Sequence, residues 1–387
     1  MKVSVLILLV GLVMASSAHA QCKPHFMPTD TVCDVGDPTA PADPSTFVYK
    51  ICNLNTTIGY HPENLKPSTY TSPTCDGTAA NVSQPFRNGL AAAFRLAPTD
   101  VKRKLCALRQ VFVTPSSSFP EALGIWEMSP STGSSVPQRG NGAAYIAIPD
   151  TVLTSATSLL DEENALLVAL FSTYPSNSLP WFTSQNAAAS GPGAGVLAVL
   201  AHELGHLLLA DVNADGKGGM GASVKKDHPR SLLCSTPAND CFEKSFLGAT
   251  GTSKRWNAKN FHDNMRRWIA FTTQGDQNHN NHQKGINFGQ IYKDINQSKP
   301  NLPDAKTRIG AVYSSGEFVS VFAAVSPEED FVETYKYKVL ANATTPLSLT
   351  IDFRDGTTKD VIKVVKDAIS AASGDLYDKI NCVPALP

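Results

Sequence analysis

The spacing of apolar positions changes several times along the chain, and each change marks a different element. Lys2 precedes an apolar run, residues 3–14, that closes in "ASSAHA" before Gln21. A basic start, an apolar stretch of this length and a small-residue ending describe a secretory signal peptide over residues 1–20. The run is too short to span a bilayer. No later run reaches spanning length, so no membrane span is expected in the mature chain. Residues 21–84 show little helical periodicity and are rich in Pro, Thr and cysteine. They predict an irregular N-terminal region tied by disulfides.

From Phe86 the spacing turns helical and opens the main domain, residues 85–387. "FRNGLAAAFRLAPTDVKRKLCAL" predicts two helices broken at Pro98, the second capped by Thr99 or Asp100. "RQVFVT", "ALGIWEM" and "AAYIAIP" carry the β-branched and aromatic residues of strands. The last of these is read as the edge strand lining a cleft. "TSLLDEENALLVALF" is helical. After the glycine-containing "SQNAAASGPGAG", Pro192 suits a first helical turn. Residues 196–209 are then apolar on nearly every face, which is the pattern of a buried helix. From about 212 to 303 the chain is polar and reads as an insertion, with one helical stretch in "RWNAKNFHDNMRRWIAF". Regular patterning returns at "RIGAVYSSGEFVSVFAAVSPEEDFVETYKYKVLA". A last helix is expected over about 359–372, before a tail carrying Cys382. The fold class expected is α+β, with a twisted sheet over the buried helix.

Composition narrows the class. All eight cysteines follow residue 20, and an even count in an exported chain argues for disulfides. Cys22 with Cys33, Cys52 with Cys75, and Cys234 with Cys241 are the expected local pairs. No C-x-x-C occurs, so a thiolate metal site has no support. Lys and Arg number 33 against 34 Asp and Glu. With no long basic run, a nucleic-acid partner is excluded.

The chemistry concentrates on the buried helix, where His202-Glu203-Leu204-Gly205-His206 forms the H-E-x-x-H pattern. Residues four apart share a helix face, so both histidines can meet one ion. Glu203 can then serve a metal-bound water as general base. A catalytic zinc site takes three protein ligands and leaves one position open, so a third ligand must come from elsewhere. Six positions after His206, where metzincins place a ligand, stands Val212. Asp211, Asp227, His228, Glu243 and His262 are weaker candidates. The stronger candidate lies 123 positions after His206, in "SPEEDFVETY". Ser326 suits an N-cap, Pro327 the first turn, and acidic residues the helix start. Glu329 and Glu333 share one face there. Glu329 would bind metal, and Glu333 would hold a histidine's second ring nitrogen from behind.

H-E-x-G-H paired with a distant x-P-x-E-D-F-x-E-x-[FY] helix, starting at Ser326, resembles the gluzincin branch of the zincin metallopeptidases, in particular the catalytic domain of anthrax lethal factor. The resemblance implies zinc held by His202, His206 and Glu329, with Glu333 behind them and Glu203 as base. It implies a hydrolase acting on peptides or proteins, and the signal-peptide pattern makes the expected location secreted or periplasmic. One position departs from it. The tyrosine that such enzymes carry four residues before the second motif is Phe322 here, leaving Tyr313 and Tyr335 as hydroxyls that could replace it.

A second metal pattern follows the helix. Asp211, Asn213 and Asp215, followed by Gly216, match the first half of a calcium loop, but its twelfth position is Ala222 rather than the bidentate glutamate. A polar turn is the preferred reading of this stretch. The alternative to an enzyme is therefore a non-catalytic exported protein binding zinc or calcium.

Overall fold

The computed structural model describes residues 47, 51–54, 75–76, 82–108, 110–114, 123–129, 138–150, 158–171, 174, 178–212, 302–316, 318–324, 327–371 and 373–383. The signal-peptide reading, most of residues 21–84, Ser326 and the polar insertion lie outside them. The described part is mixed helix and sheet, α+β.

Four strands make the larger sheet: β1 (Ile51–Asn53), β2 (Gln110–Thr114), β3 (Leu123–Ser129) and β4 (Gln138–Pro149). Their order is β1-β2-β4-β3. The first three in that order are parallel, and β3 runs antiparallel to β4. Two expectations change here. "AAYIAIP" is not an edge but an inner strand; the antiparallel edge is β3. The N-terminal region is also not wholly irregular, because it supplies β1, clipped by the Cys52–Cys75 disulfide. That pairing is the one expected. Phe47 stacks on Phe94 with ring centroids 5.0 Å apart, so this region joins the main core.

Helices α1 (Gln84–Leu96) and α2 (Thr99–Ala107) break where Pro98 requires. Pro98 itself is the N-cap of α2, and no side chain caps it, contrary to the expected Thr99 or Asp100. Then come α3 (Leu159–Phe171), β5 (Trp181–Gln185), the single turn α4 (Ala187–Ser190) and α5 (Pro192–Val212). After the insertion follow α6 (Leu302–Ser315), a short 3₁₀ turn (Phe322–Ala324) and α7 (Pro327–Ala341). The chain closes with β6 (Leu349–Asp352), β7 (Thr358–Asp360), α8 (Val361–Ile369) and α9 (Asp375–Cys382). Strands β5, β6 and β7 form an antiparallel sheet that the sequence reading did not anticipate. The last predicted helix is shorter than expected, because Asp360 caps it by accepting from the Ile362 and Lys363 amides.

The buried helix α5 sits between α1, α3 and α7 and also touches β3 and β4. Its residues Ala194, Leu197, Leu200, Ala201, Leu204 and Leu207 are all fully buried. Two glycines set its spacing. A Cβ on Gly193 would lie 2.6 Å from the Ala92 carbonyl carbon in α1, and one on Gly205 would lie 3.1 Å from Val332 in α7. The backbones approach that closely only because no side chain intervenes. No helix among the described residues is long and apolar enough to cross a membrane.

Gly193 gives the first test of this packing. Gly193→Ala would force α1 and α5 apart against backbone atoms that cannot yield. It should lower stability by about 1–3 kcal/mol, despite alanine's better helix propensity. A thermal melt at or above the wild-type midpoint would contradict the close packing.

Candidate metal centre

Helix α5 brings His202 and His206 to one face, as the spacing of four requires. Helix α7 crosses it at the Gly205–Val332 contact and places Glu329 opposite them. The two imidazole Nε2 atoms lie 3.1 Å apart. Glu329 reaches His202 Nε2 at 3.6 Å through Oε2 and His206 Nε2 at 3.7 Å through Oε1. Four-coordinate zinc with bonds near 2.0–2.1 Å separates its ligand atoms by about 3.3 Å. The three residues offer ligand atoms all within 4.8 Å of one another, close enough to draw in around one ion. Among the described residues this is the cluster of histidine and acidic side chains that can hold a metal ion.

Glu333, one turn beyond Glu329, accepts from His202 Nδ1 at 2.8 Å. That bond puts the proton on Nδ1 and leaves the Nε2 lone pair for the centre. Glu333 also accepts from Ser320 Oγ at 2.5 Å and pairs with Lys336 Nζ at 2.9 Å. Burial opposes its charge. Lys336, then the His202 and Ser320 hydrogen bonds, outweigh burial and hold it down to about 2. Without an ion, burial works against protonating His202, yet Glu333, Glu329 and Glu203 raise it to about 9. His206 moves the other way, down to about 3, through burial and the neighbouring His202 charge. The pocket thus favours one positive charge at its centre and draws it onto His202 when nothing else supplies it.

Glu203 is buried beside His202. Phe322 packs its ring against the His202 imidazole, centroids 5.6 Å apart. The two tyrosines that could replace its missing hydroxyl are both enclosed. Tyr313 is buried, and the Val321 backbone amide donates to its hydroxyl. Tyr335 is fully buried, its hydroxyl without a hydrogen-bond partner among the described residues. It is two positions from Glu333, which puts it about 200° round the helix.

The structure therefore brings together His202, Glu203, His206, Glu329 and Glu333. Asp211 lies in the last turn of α5. Asn213, Asp215, Asp227, His228, Glu243 and His262 lie outside the described residues, so the calcium reading is left where the sequence put it. Three neighbours escaped the sequence reading: Ser320, Lys336 and Glu163. Glu163 had a readable signal, because Leu159, Glu163, Leu167 and Phe171 form one stripe at spacing four along α3. Lys336 had a weaker one, three positions from Glu333. No protein family, no curated protein and no solved structure matches the chain.

The donor set makes a direct prediction. Purified protein dialysed against buffer containing a divalent metal should retain one ion per chain, and His202→Ala, His206→Ala and Glu329→Ala should each lose most of it. Elemental analysis of the dialysed proteins reads the result. Full retention by Glu329→Ala would remove α7 from the centre.

Proposed function

We propose that this protein is an exported zinc-dependent metallopeptidase of the gluzincin type. The observation that carries the proposal is the meeting of α5 and α7. An H-E-x-x-H pair and a glutamate distant from it in sequence converge on one point, with a second glutamate behind the first histidine. Two nitrogens and one carboxylate oxygen suit zinc better than calcium, which takes six to eight oxygens. The zincin-like fold, the secreted or periplasmic location and the peptide or protein substrate belong to the same proposal. They rest on the two motifs and on the signal-peptide pattern.

His202, His206 and Glu329 would hold the ion. Bound there, zinc supplies an acidified water and polarises a carbonyl. Glu203 adjoins His202 on α5 and would be the general base that accepts a proton from water and returns it to the leaving nitrogen. Glu333 keeps the His202 ring turned with Nε2 inward.

A second reading is a metal protein without catalysis, and Phe322 favours it. Its phenyl ring lies where the resembling enzymes carry a tyrosine that assists the developing oxyanion, and Tyr313 and Tyr335 are both enclosed. Glu203→Gln separates the two. In a peptidase this variant should keep its zinc and lose cleavage of a mixed peptide library by a factor of 10² or more. Wild-type protein that binds zinc and cleaves no member of the library would favour the non-catalytic reading. Cleavage by Glu203→Gln at the wild-type rate would remove Glu203 as the base.

A further inference from the structure

Glu333 is tied to more than His202. Its Oε1 meets His202 Nδ1 at 2.8 Å and Lys336 Nζ at 2.9 Å. Lys336 Nζ continues to Glu163 Oε1 at 2.8 Å and so crosses from α7 to α3. On the other side Ser320 Oγ holds Oε2 and itself accepts from the Ala323 amide at 3.1 Å. None of the carboxylates or the ammonium in this row has appreciable water: Glu163 is 1% exposed, Glu333 0% and Lys336 4%. Tyr313 and Tyr337 close the space around Glu163.

We propose that Lys336, anchored by Glu163, is a positioning residue that fixes the Glu333 carboxylate on His202 and so sets how tightly the histidine–glutamate centre holds a divalent metal. The inference rests on the reading of that centre as a metal site. Two carboxylates from different helices share one ammonium in a dry space, where like charges repel strongly. Without the ammonium, Glu333 Oε1 would lose the second of the two contacts that hold it on Nδ1. The carboxylate would then be held less firmly on its straight approach to Nδ1. Ser320 alone cannot prevent this, since it grips the other oxygen and leaves Oε1 free to turn.

A structural ion pair would need only Lys336 and Glu163. Here the ammonium is also shared with the carboxylate that orients a metal ligand. The same contacts explain why Lys336 is charged in the interior: both carboxylates hold it so, against the burial that opposes it. Outer partners of ligating histidines are worth about tenfold to a hundredfold in metal affinity. Lys336 acts one contact further out and keeps that partner in place.

The test uses the full chain, with zinc affinity read by competition against a chelator. The visible spectrum of the cobalt-substituted protein reports ligand geometry, and circular dichroism reports folding. Lys336→Met should weaken zinc about tenfold to a hundredfold and shift the cobalt bands, and Glu163→Gln should do so to a smaller extent. Should Lys336→Met fail to fold, Glu163→Gln, which preserves size and polarity, decides alone. Folded variants that bind zinc within twofold of wild type with unchanged cobalt bands would overturn the proposal, even if their metal-free melting points fall. Wild-type protein that takes up no zinc or cobalt would instead overturn the metal-centre reading beneath it.

Discussion

Helix α7 is buried from Glu329 to Ala341 although five residues of that span are of charged type. That constraint organises the rest of the structure. A charge taken from water needs a partner or it costs several kcal/mol, and α7 finds a different partner for each. Asp330 pairs with Lys379 of α9 at 2.5 Å, both 0% exposed, with the Lys379 ammonium over the Phe318 ring. Lys338 donates to the carbonyls of Ile380 and Val383, satisfying the end of the same helix. Lys336 and Glu333 pair with each other and reach α3 and α5. Glu329 faces the two histidines. The C-terminal helix, the H-E-x-x-H helix and α3 are thus positioned by the charges of one element.

The close approach of α5 to α7 follows from the same arrangement. Glu329 and Glu333 span one turn, and His202 and His206 span one turn, so the two pairs face each other only if the helices nearly touch. Gly205 stands inside the H-E-L-G-H segment and permits that contact with Val332. Burial around the pair then supplies the low dielectric in which a hydrogen bond such as Glu333 to His202 orients its ring firmly. The packing and the chemistry of the centre therefore depend on one backbone distance.

Much of this could be read before the structure, and the parts that could not are physically distinct from those that could. Spacing along one helix is local, so the shared faces of His202 with His206 and of Glu329 with Glu333 were legible. Strand type was legible too, but strand order is decided by distant partners, and "AAYIAIP" proved to lie inside the sheet. The β6–β7 hairpin was missed despite its turn signal, in which Arg354 and Gly356 both take positive φ. Helix α9 was missed although Leu376, Ile380 and Val383 recur at helical spacing and are buried. The burial of α7 was hidden because "PEEDFVETYKYK" has the composition of an exposed helix. Its partners Glu163 and Lys379 are distant in sequence; the α3 stripe marks Glu163 as inward-facing, but nothing local pairs either of them with α7.

The carboxyl groups around the centre bear on what the centre is for. Glu203, Glu329 and Glu333 are each at most 4% exposed. Burying charge is costly unless a counter-charge or a donor meets it. Glu333 is met by Lys336, His202 and Ser320, and Glu329 turns its carboxylate to the two imidazoles. A divalent ion between the imidazoles and Glu329 would bring positive charge to that point. A chance H-E-x-x-H on an ordinary core helix would have no buried carboxylates gathered opposite it, which is why those of α7 add to the argument for a metal that the histidines begin.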